Sequence, residues 1–446
     1  MHGPSEASSA QPGLFGRFLS SQVSGSVILL SCTLIALAWA NSPWAETYFA
    51  ILRTKIGISW GGATYALSVH HWINDGLMVF FFFVVGLEIK RELLVGHLSS
   101  TKKAILPVVA ALGGMLVPAI IFTVFNAGGE GERGWGIPMA TDIAFALGVL
   151  VVLGKRVPIE LKVFLTAVAI ADDLGAVVVI ALFYTEAILL DWLLVGLALL
   201  ALLYFVARVL RVGRLDILWA LIISIWIAVF ISGVHATVAG ILVALIVPVK
   251  PTAEPRRLLD FVQDRIRWLG GNKVTSESMI FDHYQLEAVV QVEEAARRMQ
   301  PAGLRLEQYW HPVQAILILP LFALANAGVG IDRGLFEALS SPVGMGVMLG
   351  LIVGKQVGIM LFCWLVIGSG KAELPNGVSW HQLWGVSCLT GIGFTMSLFV
   401  SELAFESATL IADAKLGTLV ASIISAVVGF LVLRAALARN NGLAKE

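Results

Sequence analysis

The sequence predicts an all-α membrane protein of about twelve transmembrane helices. Two properties of the composition support this fold class: 58% of the 446 residues are hydrophobic, and only 13% are charged. A soluble globular domain has about 25% charged residues. The third observation is a series of apolar runs, each close to the roughly 20 residues that cross a bilayer as a helix. The lipid bilayer is therefore the expected environment, and a formal net charge of zero predicts no nucleic-acid partner.

The apolar runs divide the chain into five parts. A polar N-terminal tail, 1–24, has no small-residue cleavage site, so we expect the first run to be retained as a span. Spans 1–8 fill 25–249, a polar loop fills 250–312, spans 9–12 fill 313–438, and a C-terminal tail covers 439–446. The twelve runs lie at about 25–41, 72–89, 104–125, 136–154, 161–184, 187–208, 215–233, 235–249, 313–331, 343–367, 380–402 and 415–438.

Basic residues in the loops predict the orientation, because cytoplasmic loops carry an excess of Lys and Arg. The loops that follow even-numbered spans are rich in these residues, as is the C-terminal tail. The remaining loops contain only Arg53, Lys55, Arg133, Arg333 and Lys415. Both termini are therefore predicted to be cytoplasmic. The basic residues of the first three cytoplasmic loops are Lys90, Arg91, Lys102, Lys103, Lys155, Arg156, Lys162, Arg208, Arg211 and Arg214.

The loop 250–312 is the one long polar segment between spans. Its stretch EAVVQVEEAARRMQ, from Glu287 to Gln300, has helical spacing and charges of both signs. A solvated cytoplasmic helix is the interpretation that this pattern favours. A regulatory or partner-binding helix is the alternative.

Spans 3–5 and spans 10–12 would form two three-helix units of opposite topology, the arrangement of an inverted repeat. The middle span of each unit contains residues that break helices. Span 4 contains Pro138 in GIPMATDIAF, and span 11 contains Gly391 and Gly393 in LTGIGFTMS. Irregular backbone inside a membrane is tolerated only where it is buried in protein or lines a cavity. A single Gly-x-Gly could simply allow close packing, but the matched positions predict two interrupted helices around a binding site.

Four ionisable residues fall well inside predicted spans. Asp172 and Asp173 are adjacent near the middle of span 5, Lys355 lies near the middle of span 10, and Asp142 lies in the break of span 4. A charged residue at the centre of a spanning helix costs about 2.5–3.5 kcal/mol on insertion scales. A structural ion pair would account for one aspartate with Lys355. It leaves the second aspartate without a role.

The two aspartates cannot face the same partner, because neighbouring helical residues point about 100° apart. One can face Lys355, and the other can face the broken backbone near Thr141 and Asp142. Carboxylate, hydroxyl and carbonyl oxygens are the ligands that a hard cation requires. Buried carboxylates also hold protons more tightly. Competition between Na⁺ or Li⁺ and H⁺ for one such site would suffice for antiport, with no cofactor. The scattered Cys32, Cys363 and Cys388 predict neither disulfides nor a metal site.

Several of these segments resemble the signature segments of the NhaA-type sodium/proton antiporters. They run in the expected order between about Asn74 and Gly429, and they read ATDIAFALGVL, IADDLGAVVVIALFY, SGVHATVAG, LPLFALANAG, VGKQVGI and GIGFTMS. The resemblance implies that Asp172 and Asp173 bind the transported cation and protons, and that Asp142 and Thr141 lie where interrupted helices cross. It also implies that Lys355 neutralises the site and pairs with Asp172.

The resemblance further implies a region at the cytoplasmic surface that responds to pH. Its residues would be Glu88, Arg91, Glu92, His235, Glu307 and His311. Without the resemblance, the charges near Glu88 would be interpreted as a solvated helix end, and His235 as a cap or a core histidine. The stretch WGGATYALSVHHW, from Trp60 to Trp72, could include a hairpin, which in this family implies a homodimer.

Two other classes of protein remain alternatives to an antiporter. An intramembrane aspartyl protease also uses two membrane aspartates, but on separate helices that face one another. A passive cation channel would favour repeated subunits and pore rings. The sequence favours an electrogenic, pH-regulated antiporter of a bacterial inner membrane, a carrier and not an enzyme.

Overall fold

A computed structural model describes residues 22–60, 63–185, 188–210, 215–250, 254–271, 275, 278–331 and 334–443. Most of the N-terminal tail (1–21), the last three residues (444–446) and the basic loop residues Arg211, Arg214 and Arg333 lie outside the described residues. The chain divides into two compact units. The first comprises Met1–Asn74, Lys102–Ala176 and Pro312–Glu446, and the second comprises Asp75–Thr101 and Val177–His311.

Helices make up nearly all of the described chain. Short 3-10 turns occupy His97–Ser99, Glu132–Met139 and Gly154–Arg156, and Ser278–Phe281 forms one helical turn. The longer elements are, in chain order, α1 Gln22–Ala40, α2 Ala45–Arg53, β1 Lys55–Trp60, β2 Ala63–Ser68, α3 Val69–Leu94, α4 Thr101–Asn126, α5 Ile143–Val152, α6 Ile159–Phe183, α7 Leu190–Val209, α8 Leu215–Ile231, α9 Ala236–Ile246, α10 Pro255–Gly270, α11 His283–Met299, α12 302–326, α13 Leu335–Ser340, α14 Pro342–Gly368, α15 Trp380–Leu389, α16 Phe394–Ala404 and α17 Ala408–Leu443.

Many of these helices are long and apolar enough to cross a membrane. Among the described residues seven helices meet this description, or nine if two bent helix pairs, α1–α2 and α15–α16, each count as one span. Two shorter apolar helices, Asp216–Ile231 and Ala236–Ile246, correspond to the predicted spans 7 and 8. An all-α membrane protein is therefore confirmed, and the count of twelve spans stays a prediction.

A two-stranded hairpin separates α2 from α3. Strands β1 and β2 are antiparallel, with Lys55 opposite Ser68 and Ile56 opposite Leu67. The hairpin thus begins before the stretch from Trp60 that the sequence suggested, because the first strand lies in KIGISW.

Glycines set the packing of α4 against α14 in the first unit. Gly350, Gly354 and Gly358 recur every fourth residue along α14 and so lie on one side of the helix. A Cβ atom added to Gly354 would lie 2.9 Å from the Cα of Pro118, and one added to Gly358 would lie 2.1 Å from the carbonyl oxygen of Gly113. Small residues let membrane helices approach this closely. The contact holds Lys355, the residue after Gly354, against α4.

In the second unit, α3 also packs closely against α9 at glycine residues. A Cβ atom at Gly86 would lie 2.7 Å from the Cβ of Ala244, and one at Gly240 would lie 2.5 Å from the carbonyl oxygen of Val79. Apolar residues of α7 and α8, among them Leu203 and Ile225, complete this core. The packing positions the charged end of α3 beside the end of α9.

Candidate functional site

A buried ion pair lies in the first unit. Nζ of Lys355, on α14, is 2.5 Å from Oδ2 of Asp172, on α6, and both side chains are fully buried. In a low-dielectric surrounding such a pair persists only if further hydrogen bonds satisfy its polar atoms. Oδ1 of Asp172 is buried and accepts no hydrogen bond from the described residues. One carboxylate oxygen is therefore available to a ligand.

The hydroxyl group of Thr141 completes this cluster. Its Oγ1 accepts a hydrogen bond from Lys355 Nζ at 3.0 Å and lies 2.8 Å from Asp172 Oδ2 and 2.9 Å from the carbonyl oxygen of Thr390. A hydroxyl has one proton, so Thr141 donates either to Asp172 or to Thr390 at any moment. The sequence predicts Lys355 and Thr141 as partners of different aspartates, whereas in the structure both contact Asp172.

Asp142 caps two helices at once. Its Oδ1 accepts hydrogen bonds from the backbone N–H groups of Ala144 and Phe145, at 3.1 and 3.2 Å, in the first turn of α5. Its Oδ2 accepts from the backbone N–H and the hydroxyl of Thr395, at 3.0 and 2.5 Å, in the first turn of α16. Both helix N-termini carry partial positive charge, which a carboxylate stabilises. Since all four contacts are made within the protein, Asp142 organises the site more than it offers ligands.

The segments before α5 and between α15 and α16 also bond directly to each other. The backbone N–H of Asp142 donates to the carbonyl oxygen of Ile392 at 2.6 Å, and the Ser397 hydroxyl donates to the carbonyl oxygen of Ile137 at 2.8 Å. These contacts join the backbone on both sides of Pro138, which lies inside the 3-10 segment Glu132–Met139, to the segment that contains Gly391 and Gly393. Together they satisfy backbone groups that a continuous helix would otherwise pair internally.

The two glycines are required by close approach. A Cβ atom at Gly391 would lie 2.5 Å from the carbonyl oxygen of Leu351, and one at Gly393 would lie 2.3 Å from Oγ of Ser397. A larger residue at Gly391 would force the segment away from the backbone of α14, whereas at Gly393 the Ser397 side chain would have to move. Gly391 therefore keeps the segment between α15 and α16 close to Leu351 on α14.

Asp173 follows Asp172 on α6 and is also buried, with 3% of its surface exposed. Its side chain points about 100° around the helix from that of Asp172. Among the described residues, no group of three or more His, Cys, Asp and Glu side chains could hold a metal ion. A cation at this site would therefore also need hydroxyl and carbonyl oxygens, which Thr141 and Thr390 can supply.

The residues assigned to a pH response fall into two clusters of the second unit. In the first, Arg91 lies 2.7 Å from Glu307 and 3.5 Å from Glu92. Burial raises the pKa of Glu307, and the Arg91 guanidinium opposes this shift. The charges of Glu88 and His311 also act on Glu307, although His311 itself is exposed. The first cluster thus joins the end of α3 to the start of α12.

His235 belongs to the second cluster, at the N-terminus of α9. Its Nε2 lies 3.7 Å from Asp75 Oδ1, and its Nδ1 lies 3.0 Å from the Thr237 hydroxyl. Asp75 was not among the residues that the sequence suggests, because a single aspartate beside a span end is ordinary. Its contact with His235 gives the histidine an acidic partner at the start of α9.

Lys90 is a further residue that the sequence does not single out. Its buried ammonium group donates to the carbonyl oxygens of Ala244, Leu245 and Val247, where α9 ends. Cations stabilise helix C-termini, where carbonyl groups lack partners. Lys90 therefore fixes the end of α9 to α3 and is not the solvated loop charge that its position in the sequence suggests.

The apolar helices and the buried ion cluster, with carboxylate, hydroxyl and ammonium groups in contact, define an integral membrane protein built to handle small ions. Comparison of the chain with known protein families supports the same class. The chain matches the family described as Na+/H+ antiporter 1 over residues 16–433, and it belongs to that family. The resemblance inferred from the signature segments is thereby confirmed.

Named relatives cover nearly the whole chain. The Na(+)/H(+) antiporter NhaA of Koribacter versatilis (strain Ellin345) is 45% identical over 94% of this chain and 90% of its own length. The Na(+)/H(+) antiporter NhaA 1 of Saccharophagus degradans is 45% identical over the same shares. The Na(+)/H(+) antiporter NhaA of Sulfurimonas denitrificans is 44% identical over 94% of this chain and 95% of its own. These names are those of transporters, and nothing in the site supports a protease.

Proposed function

We propose that this protein exchanges Na⁺ or Li⁺ for H⁺ across a bacterial inner membrane, with both termini in the cytoplasm. The observation that carries the proposal is the fully buried contact of Lys355 with Asp172, bridged by Thr141. Ionisable side chains inside a membrane helix cost free energy on insertion, and where they occur they mark functional sites. Membership of the Na+/H+ antiporter 1 family supports the same conclusion.

Cation binding would use oxygen atoms that surround this contact. Asp172 Oδ1, the Asp173 carboxylate, the Thr141 hydroxyl and the Thr390 carbonyl group can replace the hydration shell of Na⁺ or Li⁺. The Lys355 ammonium holds Asp172 Oδ2 while the cation is absent. A cation that approaches this carboxylate must compete with that ammonium, so binding and deprotonation are coupled.

Two groups would exchange protons in each cycle. In the protonated state the Asp172–Lys355 pair holds one exchangeable proton, and Asp173 is a carboxylic acid. When Na⁺ arrives, the pair releases its proton, and Asp173 releases another to become a carboxylate. Two protons thus leave as one Na⁺ binds, and each cycle moves one net charge across the membrane.

Alternating access would come from the two interrupted helices. We infer twelve spans, with spans 3–5 and 10–12 as inverted repeats that enclose the site at their crossing. Asp142 would keep the two breaks together during the motion, because its carboxylate is bonded to both α5 and α16. A homodimer formed through the β1–β2 hairpin and a pH response centred on Glu307 complete the proposal.

The test is transport by the purified protein in proteoliposomes. Addition of Na⁺ or Li⁺ should release protons from acid-loaded vesicles, and choline should not. The control is Asp191→Asn, which removes an exposed carboxylate from the first turn of α7. If the vesicles respond to neither Na⁺ nor Li⁺ at any pH, the assignment of antiport is wrong.

A further inference from the structure

A second buried polar cluster lies in the first unit, apart from the ion-binding residues. It joins elements that are distant in sequence: the start of α3, the end of α12, the end of α16 and α17. The side chains of His70, Glu402 and Lys415 are only 27%, 17% and 8% exposed. Asn74 and Asn326 are almost completely buried. Nothing in the exchange mechanism uses these five residues.

One half of the cluster lies outside the proposed repeats. Asn326 donates to the Asn74 side-chain oxygen at 2.7 Å, and Asn74 donates back to the Asn326 side-chain oxygen at 3.4 Å. The Tyr48 hydroxyl, on α2, donates to the carbonyl oxygen of Leu324 at 2.7 Å. The polar groups of α2, α3 and α12 thus satisfy one another without help from the repeats.

The other half lies within the proposed repeat of spans 10–12. Nζ of Lys415, at the start of span 12, is 2.5 Å from Oε1 of Glu402, at the end of span 11. The charge of each is compensated by the other. Glu402 is also seven residues beyond Thr395 on α16, about 10 Å along the helix axis, so it would follow any movement of the helix break.

His70 is the junction between the two halves. Its Nε2 lies 3.1 Å from Oδ1 of Asn326 and 3.7 Å from Oε1 of Glu402. If the repeat moved away, Asn326 would keep Asn74, and Glu402 would keep Lys415. Separation would therefore leave no buried charge without a partner, which is the largest cost of breaking a buried polar contact. A contact of this kind can open and close repeatedly.

We propose that the contact between His70 and Glu402 is a gate that closes one end of the ion path and opens as the repeat moves. In the proposed orientation span 2 runs from the outside to the cytoplasm, and His70 precedes its first residue. The gate is thus at the external end of the ion path. This inference rests on the proposed antiport, since only a carrier with alternating access needs such a gate.

The test is reversible cross-linking in protein whose three cysteines, Cys32, Cys363 and Cys388, are replaced by alanine. The variant His70→Cys with Glu402→Cys is linked by a short bis-thiosulfonate reagent, and Na⁺-driven proton release is measured in proteoliposomes. We expect the link to stop exchange and a reductant to restore it. The matched control, His70→Cys with Asn326→Cys, is linked on the same side of the gate and should retain its rate.

Two outcomes would overturn the gate. Unchanged exchange after the 70–402 link would mean that these residues never separate. Equal inhibition by the 70–326 link would mean that transport tolerates no cross-link here, whatever it joins. If the unlinked parent exchanges no ions, the proposed antiport fails instead, and a structural measurement decides the gate.

That measurement is hydrogen–deuterium exchange of the protein, with His70→Ala compared with the parent. Loss of the gate should speed exchange severalfold in residues 69–77 and in residues 398–404, while residues 101–126 keep their rate. Unchanged exchange in both gate segments would overturn the proposal independently of any transport assay.

Discussion

The carboxylate of Asp142 accepts a hydrogen bond of 2.5 Å from the hydroxyl of Thr395, a residue 253 positions further along the chain. The same carboxylate caps its own helix through Ala144 and Phe145. One side chain therefore orders the starts of α5 and α16, and with them the backbone around Thr141 and Thr390. The cap supplies acceptors for buried backbone N–H groups at the starts of both helices, which would otherwise lack partners.

Substitution of Asp142 by Asn should destabilise the protein. The change removes the negative charge from two helix N-termini and leaves one acceptor oxygen instead of two. We expect a loss of about 2 kcal/mol, from weaker charge-assisted hydrogen bonds and weaker helix-dipole stabilisation. Thermal unfolding in detergent measures it, with Thr395→Ser as the control that keeps a hydroxyl. Equal melting temperatures for Asp142→Asn and the parent would contradict the double-cap interpretation.

Substitution of Asp173 by Asn should abolish exchange while the protein still inserts and folds. The amide is similar in size but can neither carry the charge that binds a cation nor release a proton near neutral pH. Proton release on addition of Na⁺ to proteoliposomes is the measurement, with Asp191→Asn as the exposed carboxylate control. A normal rate of Na⁺ transport by Asp173→Asn would show that the site lies elsewhere.

Removal of Lys355 alone should be more harmful to stability than removal of the whole ion pair. Lys355→Gln leaves the buried Asp172 carboxylate without its cation, which typically costs about 3–5 kcal/mol. The double variant with Asp172→Asn has no buried charge at this position and should regain much of that loss. Thermal unfolding of the two single variants, the double variant and the exposed control Lys371→Gln gives the coupling between them. Additive losses would argue against the pair.

Exchange of two protons for one Na⁺ should respond to voltage alone. Moving one charge through 100 mV is worth about 2.3 kcal/mol. A membrane potential should therefore drive Na⁺ transport even when there is no gradient of pH or of Na⁺. The experiment holds pH and Na⁺ equal on both sides of the proteoliposome membrane and imposes a potassium diffusion potential with valinomycin. Parent protein should move ²²Na⁺, and Lys355→Gln should respond less. If the parent moves no ²²Na⁺, exchange is electroneutral, and the proposal that two groups release protons in each cycle is wrong.

The pH dependence of stability should change at Glu307. Burial raises its pKa in the folded protein, so the folded state holds this proton more tightly than the unfolded state does. The resulting stabilisation is fully present below the unfolded-state pKa and is lost as pH rises through the raised folded-state pKa. Glu307→Gln cannot ionise, so its melting temperature should fall less than that of the parent across this range.

The same substitution tests the proposed pH response. Glu307→Gln should shift the pH profile of exchange while the maximal rate persists, because Arg91 then loses the nearer of its two acidic partners. The exposed Glu287→Gln, on α11, is the control and should leave both the stability slope and the profile unchanged. If variants at all five positions keep the pH profile of the parent, these residues do not form a pH sensor. The five positions are Glu88, Arg91, Glu92, Glu307 and His311.

Membrane class and the chemistry of the site could be predicted from the sequence, since both depend on local composition. Apolar runs identify membrane helices wherever they occur, and Asp172, Asp173 and Lys355 are conspicuous because charge inside such a run is costly. Pro138, Gly391 and Gly393 could be predicted to be breaks for a similar reason, because each weakens a helix that contains it. All of these features can be recognised from the local sequence, without knowledge of which residues contact each other in the fold.

Pairing between distant residues could not be worked out from the residues themselves, although the family resemblance implied that Lys355 pairs with Asp172; the tertiary structure shows the contacts. Lys355 contacts Asp172 across 183 positions, and Lys90 reaches the end of α9 across more than 150. No periodicity links such residues, and a carboxylate or an ammonium in isolation is compatible with many partners. Packing chose among them: it placed Lys355 of α14 against Asp172 of α6, and it brought the starts of α5 and α16 to one carboxylate, that of Asp142.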